Sequence, residues 1–277
     1  MQRESGTLTT ADGLTLYTQC WLPDEAKALV VLVHGFGEHS GRYVRVAESL
    51  MERGYAVCAF DQRGHGRSEG ERANLRVFRE LVTDLTRFVE RMRETYPGIP
   101  RFVLGHSVGA LVALQFALEQ PDKLDGLVVS ASYIENAVEV PRLLAKLARP
   151  IGRMLPSLPV QTFDPKGLSR DPAVVRAYQN DPLVYHGKVK ARMGAELLGA
   201  GPYVMTHASD ITLPVLVLHG SADRVAAAQG SRDLAEMLAS DDKTLIVYDG
   251  LYHEILNEPE QGKVLQDIAE WLDRHLD

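Results

Sequence analysis

Apolar residues along this chain fall into short continuous runs, separated by longer stretches in which they recur every three or four positions. ALVVLVHG (28–35), YAVCAFD (55–61), RFVLGHS (101–107), GLVVSAS (126–132), PVLVLHG (214–220) and KTLIVYDG (243–250) are β-branched runs that end in Gly, Asp or Ser. Because they are continuous rather than alternating, they predict strands covered on both faces, and hence a parallel sheet flanked by helices. The helical period occupies 42–53, 75–95, 107–120, 230–240 and 259–275, an alternation that predicts an open doubly wound α/β sheet. The start differs. GTLTTADGLTLYTQCWLP reads as two alternating strands joined at Ala11-Asp12-Gly13, a hairpin that adds an antiparallel N-terminal edge.

One interval breaks the rhythm. From 133 to 206 no convincing strand appears, and Pro141, Pro150, Pro156, Pro159, Pro165, Pro172 and Pro182 punctuate it. That is too long for a plain loop in a compact domain. The expected organisation is a core of residues 1–132 and 207–277, with 133–206 inserted as a helical cap or lid.

Composition narrows the class. With 277 residues, 45% hydrophobic and 24% charged, the chain can bury one large core. A formal charge of -7, from 37 acidic against 30 basic residues, argues against a nucleic-acid partner. Cys20 and Cys58 make no disulfide framework and no CxxC pair, so Cys58 reads as a buried thiol and a reducing compartment fits. The N-terminal MQRESGTLTT lacks the apolar core of a signal peptide, and no run is long enough to span a membrane. A cytoplasmic protein is expected, with room for peripheral contact with a bilayer.

The chemistry begins at Gly105-His106-Ser107-Val108-Gly109, which closes a strand and opens the helical segment ALVALQFALEQ. A tight strand-to-helix turn exposes the middle side chain and needs glycine on either side, where a Cβ would strike backbone. An ordinary helix N-cap would explain Ser107 but not both glycines. Serine needs a base within reach. Of nine histidines, His253 in YDGLYHE follows the last strand, where a Ser…Asp…His chain order presents its base. His207 and His275 lie away from strand ends, His219 is buried in a strand end, and His106 belongs to the turn. Asp223, two residues past LVLHG, is preferred over Asp249 and Asp210 as the acid that orients the base. The backbone N–H groups of Val108 and Phe36, the latter in His34-Gly35-Phe36-Gly37, are the expected oxyanion donors.

With these residues in place the chain resembles the monoacylglycerol lipases of the α/β-hydrolase superfamily. The resemblance rests on HGFGEHSGRY (34–43), DQRGHGRSEGER (61–72), GHSVGA (105–110), SRDPAVVRAYQNDPLV (169–184), HGSADR (219–224) and GLYHEILNEPE (250–260). GEHSGRY is the block most particular to these lipases. The resemblance implies Ser107, Asp223 and His253 as the triad, Phe36 and Val108 as oxyanion donors, and Glu38 and Arg42 near the end of the pocket that holds glycerol. His65, among Asp61, Arg63 and Ser68, is read as structural, knitting the loops behind the oxyanion hole. Val108 and Ala110 depart from the family's usual methionine and glycine, and Ala226–Ala228 replaces a more apolar stretch.

In the cap, Arg142, Lys146, Arg149 and Arg153 share one helical face, with Leu143, Leu144, Leu147, Ile151, Met154 and Leu155 on much of the rest. Such a segment reads as a membrane-surface element, which Pro150 should kink or split. The expected activity is hydrolysis of a monoacylglycerol to fatty acid and glycerol through an acyl-enzyme, without metal or cofactor. A general carboxylesterase, lysophospholipase or thioesterase is the alternative on the same scaffold, and a non-catalytic ligand-binding homologue the remote one.

Overall fold

The computed structural model describes residues 2–138, 140–162 and 164–276, without the side chain of Arg142. The expected hairpin is β1 (Gln2–Thr9) against β2 (Thr15–Leu22), antiparallel with Thr9 opposite Thr15. Then β3 (Ala28–Val33), α1 (Val44–Met51), β4 (Tyr55–Phe60), α2 (Arg79–Thr95), β5 (Arg101–His106), α3 (Val108–Glu119) and β6 (Gly126–Ser130) alternate as the hydrophobic periods predict. After the interval come β9 (Val215–Gly220), α7 (Ala228–Met237), β10 (Lys243–Tyr248) and α8 (Gln261–Asp273). The eight-stranded sheet runs β1-β2-β4-β3-β5-β6-β9-β10. It is parallel from β4 to β10, and β2 meets β4 antiparallel.

Why the strands lack alternation is visible in β3. Leu29, Val31 and Val33 pack on one face with Phe88 of α2 and Leu111 and Phe116 of α3. Val30 and Leu32 pack on the other with Leu50 of α1 and Ile268 and Trp271 of α8. Both faces bury apolar side chains, each worth about 1.5–3 kcal/mol when fully buried. This two-sided cover fixes the strand ends, and the loops leaving their carboxyl ends build the site.

Between β6 and β9 lie α4 (Arg142–Met154), β7 (Pro159–Gln161), α5 (Pro172–Asn180), β8 (Val189–Lys190) and α6 (Ala191–His207). Three corrections arise here and in the hairpin. First, β7 and β8 pair antiparallel as a small separate sheet, and strands of three and two residues are too short to show a period. Second, Pro150 does not split the segment into two helices but sits inside a single α4. The missing N–H removes one bond of the ladder, and the rest of the helix continues on either side. Third, Cys20 and Cys58 are disulfide-bonded, directly opposite each other in the β2–β4 register. They are 38 residues apart in sequence, so only the strand pairing reveals them as partners. Cysteine usage therefore gives no argument for a reducing compartment. Among the described residues no helix is long and apolar enough to cross a membrane.

Candidate active site

Ser107 stands at the junction of β5 and α3 with φ 55° and ψ -117°, a left-handed conformation that side-chain-bearing residues rarely adopt. The chain can turn there because it is bare on both sides. A Cβ on Gly105 would lie 2.5 Å from the Gly109 carbonyl oxygen, and one on Gly109 would lie 2.2 Å from that of Val33. Ser107 N–H donates to the Ser130 carbonyl at 2.9 Å, tying the turn to β6. Val108 opens α3, where first-turn N–H groups lack helical partners.

Three predicted residues, far apart in sequence, meet in one hydrogen-bonded row. His253 Nε2 lies 2.9 Å from Ser107 Oγ, and His253 Nδ1 lies 2.7 Å from Asp223 Oδ2. Asp223 is held in turn by the N–H groups of Val225 at 2.7 Å and Ala226 at 3.0 Å. Ala226 opens the Ala226–Ala228 stretch, and here its backbone rather than its side chain does the holding. Of the rival acids, Asp249 accepts from Ser221 and Asp210 lies in a short turn after α6.

Burial pushes the Asp223 carboxyl up, but the His253 charge and hydrogen bonds from His219 and His253 outweigh it and hold it far below the usual range. Burial pushes His253 down, yet Asp223, then Glu254 and Glu38, raise it above its ordinary 6.5. Burial, and then the His253 charge, lower His106 to about 4 and outweigh Glu38, Glu254 and Asp223, its ring lying tilted 4.9 Å from that of His253. Of the two histidines, His253 is thus the better proton acceptor, while its neighbour stays neutral.

The loop carrying Phe36 is braced from two sides. Gly35 N–H donates to Glu38 Oε1 at 2.7 Å, and Tyr43 Oη–H donates to the same oxygen at 2.5 Å. Arg42 bridges Glu38 Oε2 at 2.7 Å and both oxygens of Glu254, at 2.6 and 2.8 Å. From α5 and the turn after it, Tyr178 stacks on the Arg42 guanidinium, His39 Nε2 pairs with Asp181 at 2.9 Å, and Tyr185 N–H donates to the Gly37 carbonyl at 2.7 Å. Glu38 and Glu254 line the cavity above Ser107, and Arg42 does not. Glu254 is the partner that sequence reasoning missed. Its position beside His253 offers no periodic signal, and Arg42 lies 212 residues away.

Asp61, Arg63, His65 and Ser68 serve the scaffold. Asp61 accepts from Ser40 N–H and Oγ–H, Arg63 forks onto Asp84, and Ser68 caps the Asp61 carbonyl. Burial lowers His65 to about 3, so it stays neutral with its ring edge-on to Phe36.

Ser107, Phe36, Val108 and His253 open into a cavity of about 590 Å³. Its walls are mostly apolar, among them Leu144 and Ile151 of α4, Leu197 and Leu198 of α6, and Val225. A base-activated serine at the mouth of an apolar cavity can transfer acyl groups, and Phe36 and Val108 line the same cavity.

A family model described as serine aminopeptidase, S33, matches residues 24–260. The monoacylglycerol lipase of Mycolicibacterium smegmatis is 40% identical over 265 residues, covering 95% of this chain and 95% of that protein. The monoglyceride lipase of Homo sapiens is 38% identical over 269 residues, 96% of this chain and 89% of that one. Among solved structures, the monoacylglycerol lipase of Paleococcus ferrophilus superimposes with a TM-score of 0.84 at 35% identity, over 99% of this chain and 100% of that chain.

Proposed function

The chain belongs to the hydrolase family described as serine aminopeptidase, S33, and from that premise we propose that it cleaves monoacylglycerols to fatty acid and glycerol. The observation that carries this reading is the Ser107–His253–Asp223 row opening into an apolar cavity. Ser107 attacks the ester carbonyl, and His253 takes its proton and returns it to the departing glycerol. Water then repeats the cycle on the acyl-enzyme, and Asp223 holds the imidazolium throughout. The oxyanion is received by Phe36 and Val108 N–H, each such donor worth roughly 100- to 1000-fold in turnover.

A peptidase acting at a free amino terminus would need an uncommitted carboxylate in the cavity. Glu38 and Glu254, the carboxylates buried close to Ser107, are both engaged by Arg42, and the third carboxylate of the lining, Asp164, is exposed and accepts the Lys166 N–H, which favours the ester. Glu38 accepts three hydrogen bonds, leaving about one lone-pair site for a hydroxyl. The glycerol end is accordingly assigned to Glu38, with Arg42 holding it in place.

Medium-chain monoacylglycerol should be turned over much faster than the matched di- and triacylglycerols and the methyl ester of equal chain length. Equal rates on the methyl ester would replace this reading with a general esterase. No turnover of any of these esters would discard it.

Residues 133–206 act as the cap, and α4 as its contact with lipid. Leu143, Leu147 and Met154 are 71%, 45% and 81% exposed, alongside exposed Lys146, Arg149 and Arg153, while Leu144 and Ile151 face the cavity. Basic residues near an anionic leaflet are worth about 1 kcal/mol each, so Lys146→Glu with Arg153→Glu should weaken binding to phosphatidylserine vesicles by about 30-fold or more. Unchanged binding in a flotation assay would refute the contact.

A further inference from the structure

The row of hydrogen bonds does not end at Asp223. Its Oδ2 faces a second imidazole, His219 Nε2, at 3.0 Å. His219 is the fifth residue of β9 and wholly buried. Its other nitrogen, Nδ1, lies 2.7 Å from the hydroxyl of Ser231, which is also wholly buried on α7.

The tautomer follows from the surroundings. Nε2 points at two acceptors, Asp223 Oδ2 and the Ala226 carbonyl at 3.2 Å, so that nitrogen carries a hydrogen. Nδ1 then accepts from Ser231 Oγ–H. Asp223 thereby receives four donors: Val225 and Ala226 N–H on Oδ1, and His253 and His219 on Oδ2. A carboxylate has about four lone-pair sites, so this one is saturated and cannot rotate without breaking a bond.

We propose that His219, oriented by Ser231, is a positioning residue for the hydrolysis: it fixes Asp223 in line with His253 and moderates how strongly that carboxylate holds the His253 proton. This rests on the triad assignment above. The plain alternative is a core histidine whose polar atoms happen to be satisfied. Such a residue would matter to stability but not to the pH dependence of the surviving activity. The signal in the sequence is the spacing His219-Gly-Ser-Ala-Asp223, which places an imidazole at the end of the strand that leads to the acid.

The sign of the effect can be worked out. Removing the His219 N–H leaves more negative charge on Asp223, which stabilises the His253 imidazolium and raises its pKa. Since the neutral imidazole is the active form, the acid limb of kcat/KM moves to higher pH. The other ionisable groups facing His253 are Glu254, Glu38 and His106, and none is altered.

The test is kcat and KM on a soluble short-chain ester across pH for His219→Phe, His219→Gln and Ser231→Ala, with Ser107→Ala and Asp223→Asn as references. Groups that orient a working histidine from behind are typically worth about 10- to 100-fold, a figure taken from metal-bound imidazoles. His219→Phe should lose kcat in that range at unchanged KM, with its acid limb displaced upward. His219→Gln, whose amide can donate to Asp223, should recover most of the loss, and Ser231→Ala should fall between. A folded His219→Phe with wild-type kcat and acid limb would overturn the proposal, as would a glutamine no better than phenylalanine. If His219→Phe does not fold, Ser231→Ala with an unmoved acid limb would overturn it equally. Full activity in Ser107→Ala or Asp223→Asn would bring down the triad itself, a different failure.

Discussion

His253→Ala is expected to lower ester turnover by roughly 10,000- to 1,000,000-fold, because members of such a triad act as a unit and losing the base costs about as much as losing all three. Ser107 Oγ would keep its place at the strained turn between β5 and α3 but lose the acceptor 2.9 Å away. Labelling by a fluorophosphonate should fall in parallel, since that reagent reports activation of the serine and not its presence. Wild-type kcat/KM should rise with pH through an apparent pKa above the ordinary 6.5, because Asp223, Glu254 and Glu38 outweigh the burial that pulls His253 down. The residual rate of the alanine variant should lack that limb. A variant that kept even a tenth of the activity would show that another group takes the proton. A fluorescence-monitored melt accompanies the kinetics, so that loss of chemistry is separated from loss of fold.

The second large effect belongs to Arg42. Its side chain is 9% exposed and lies between Glu38 and Glu254, whose side chains are 5% and 4% exposed. Arg42→Met would leave two buried carboxylates facing one another without a counter-charge. Removing one partner of a buried ion pair typically costs about 3–5 kcal/mol. For a chain of this size that corresponds to a fall in Tm on the order of 10 °C. Arg42→Lys should recover little, since one ammonium cannot reproduce the fork onto both Glu254 oxygens. Adding Glu254→Gln to Arg42→Met should recover part of the stability by removing one of the stranded charges. Activity should fall as well, because Glu38 holds the Gly35 N–H next to Phe36, which lines the cavity at Ser107. If Arg42→Met melted within about 2 °C of wild type, the carboxylates would have to be wet or protonated, and the brace around Phe36 would need another explanation.

The sequence by itself determined what depends on neighbours along the chain. Continuous β-branched runs marked the strands because each is covered twice, as Leu29 and Val30 of β3 illustrate by packing on opposite faces. The paired glycines around Ser107 marked a turn that no other residue could make, and the strand ends singled out Asp223 and His253. Tertiary structure alone decided what depends on which distant segments meet. Cys20 faces Cys58 because of the β2–β4 register, and Arg42 finds Glu254 across the molecule. His219, which looks like a core residue in its strand, gains its partner from the way the loop after β9 folds back. Pro150 looks like a helix breaker by composition, yet α4 runs through it. Periodicity and turn chemistry are local properties, whereas a hydrogen bond between residues 212 positions apart exists only once the sheet has brought their loops to one edge.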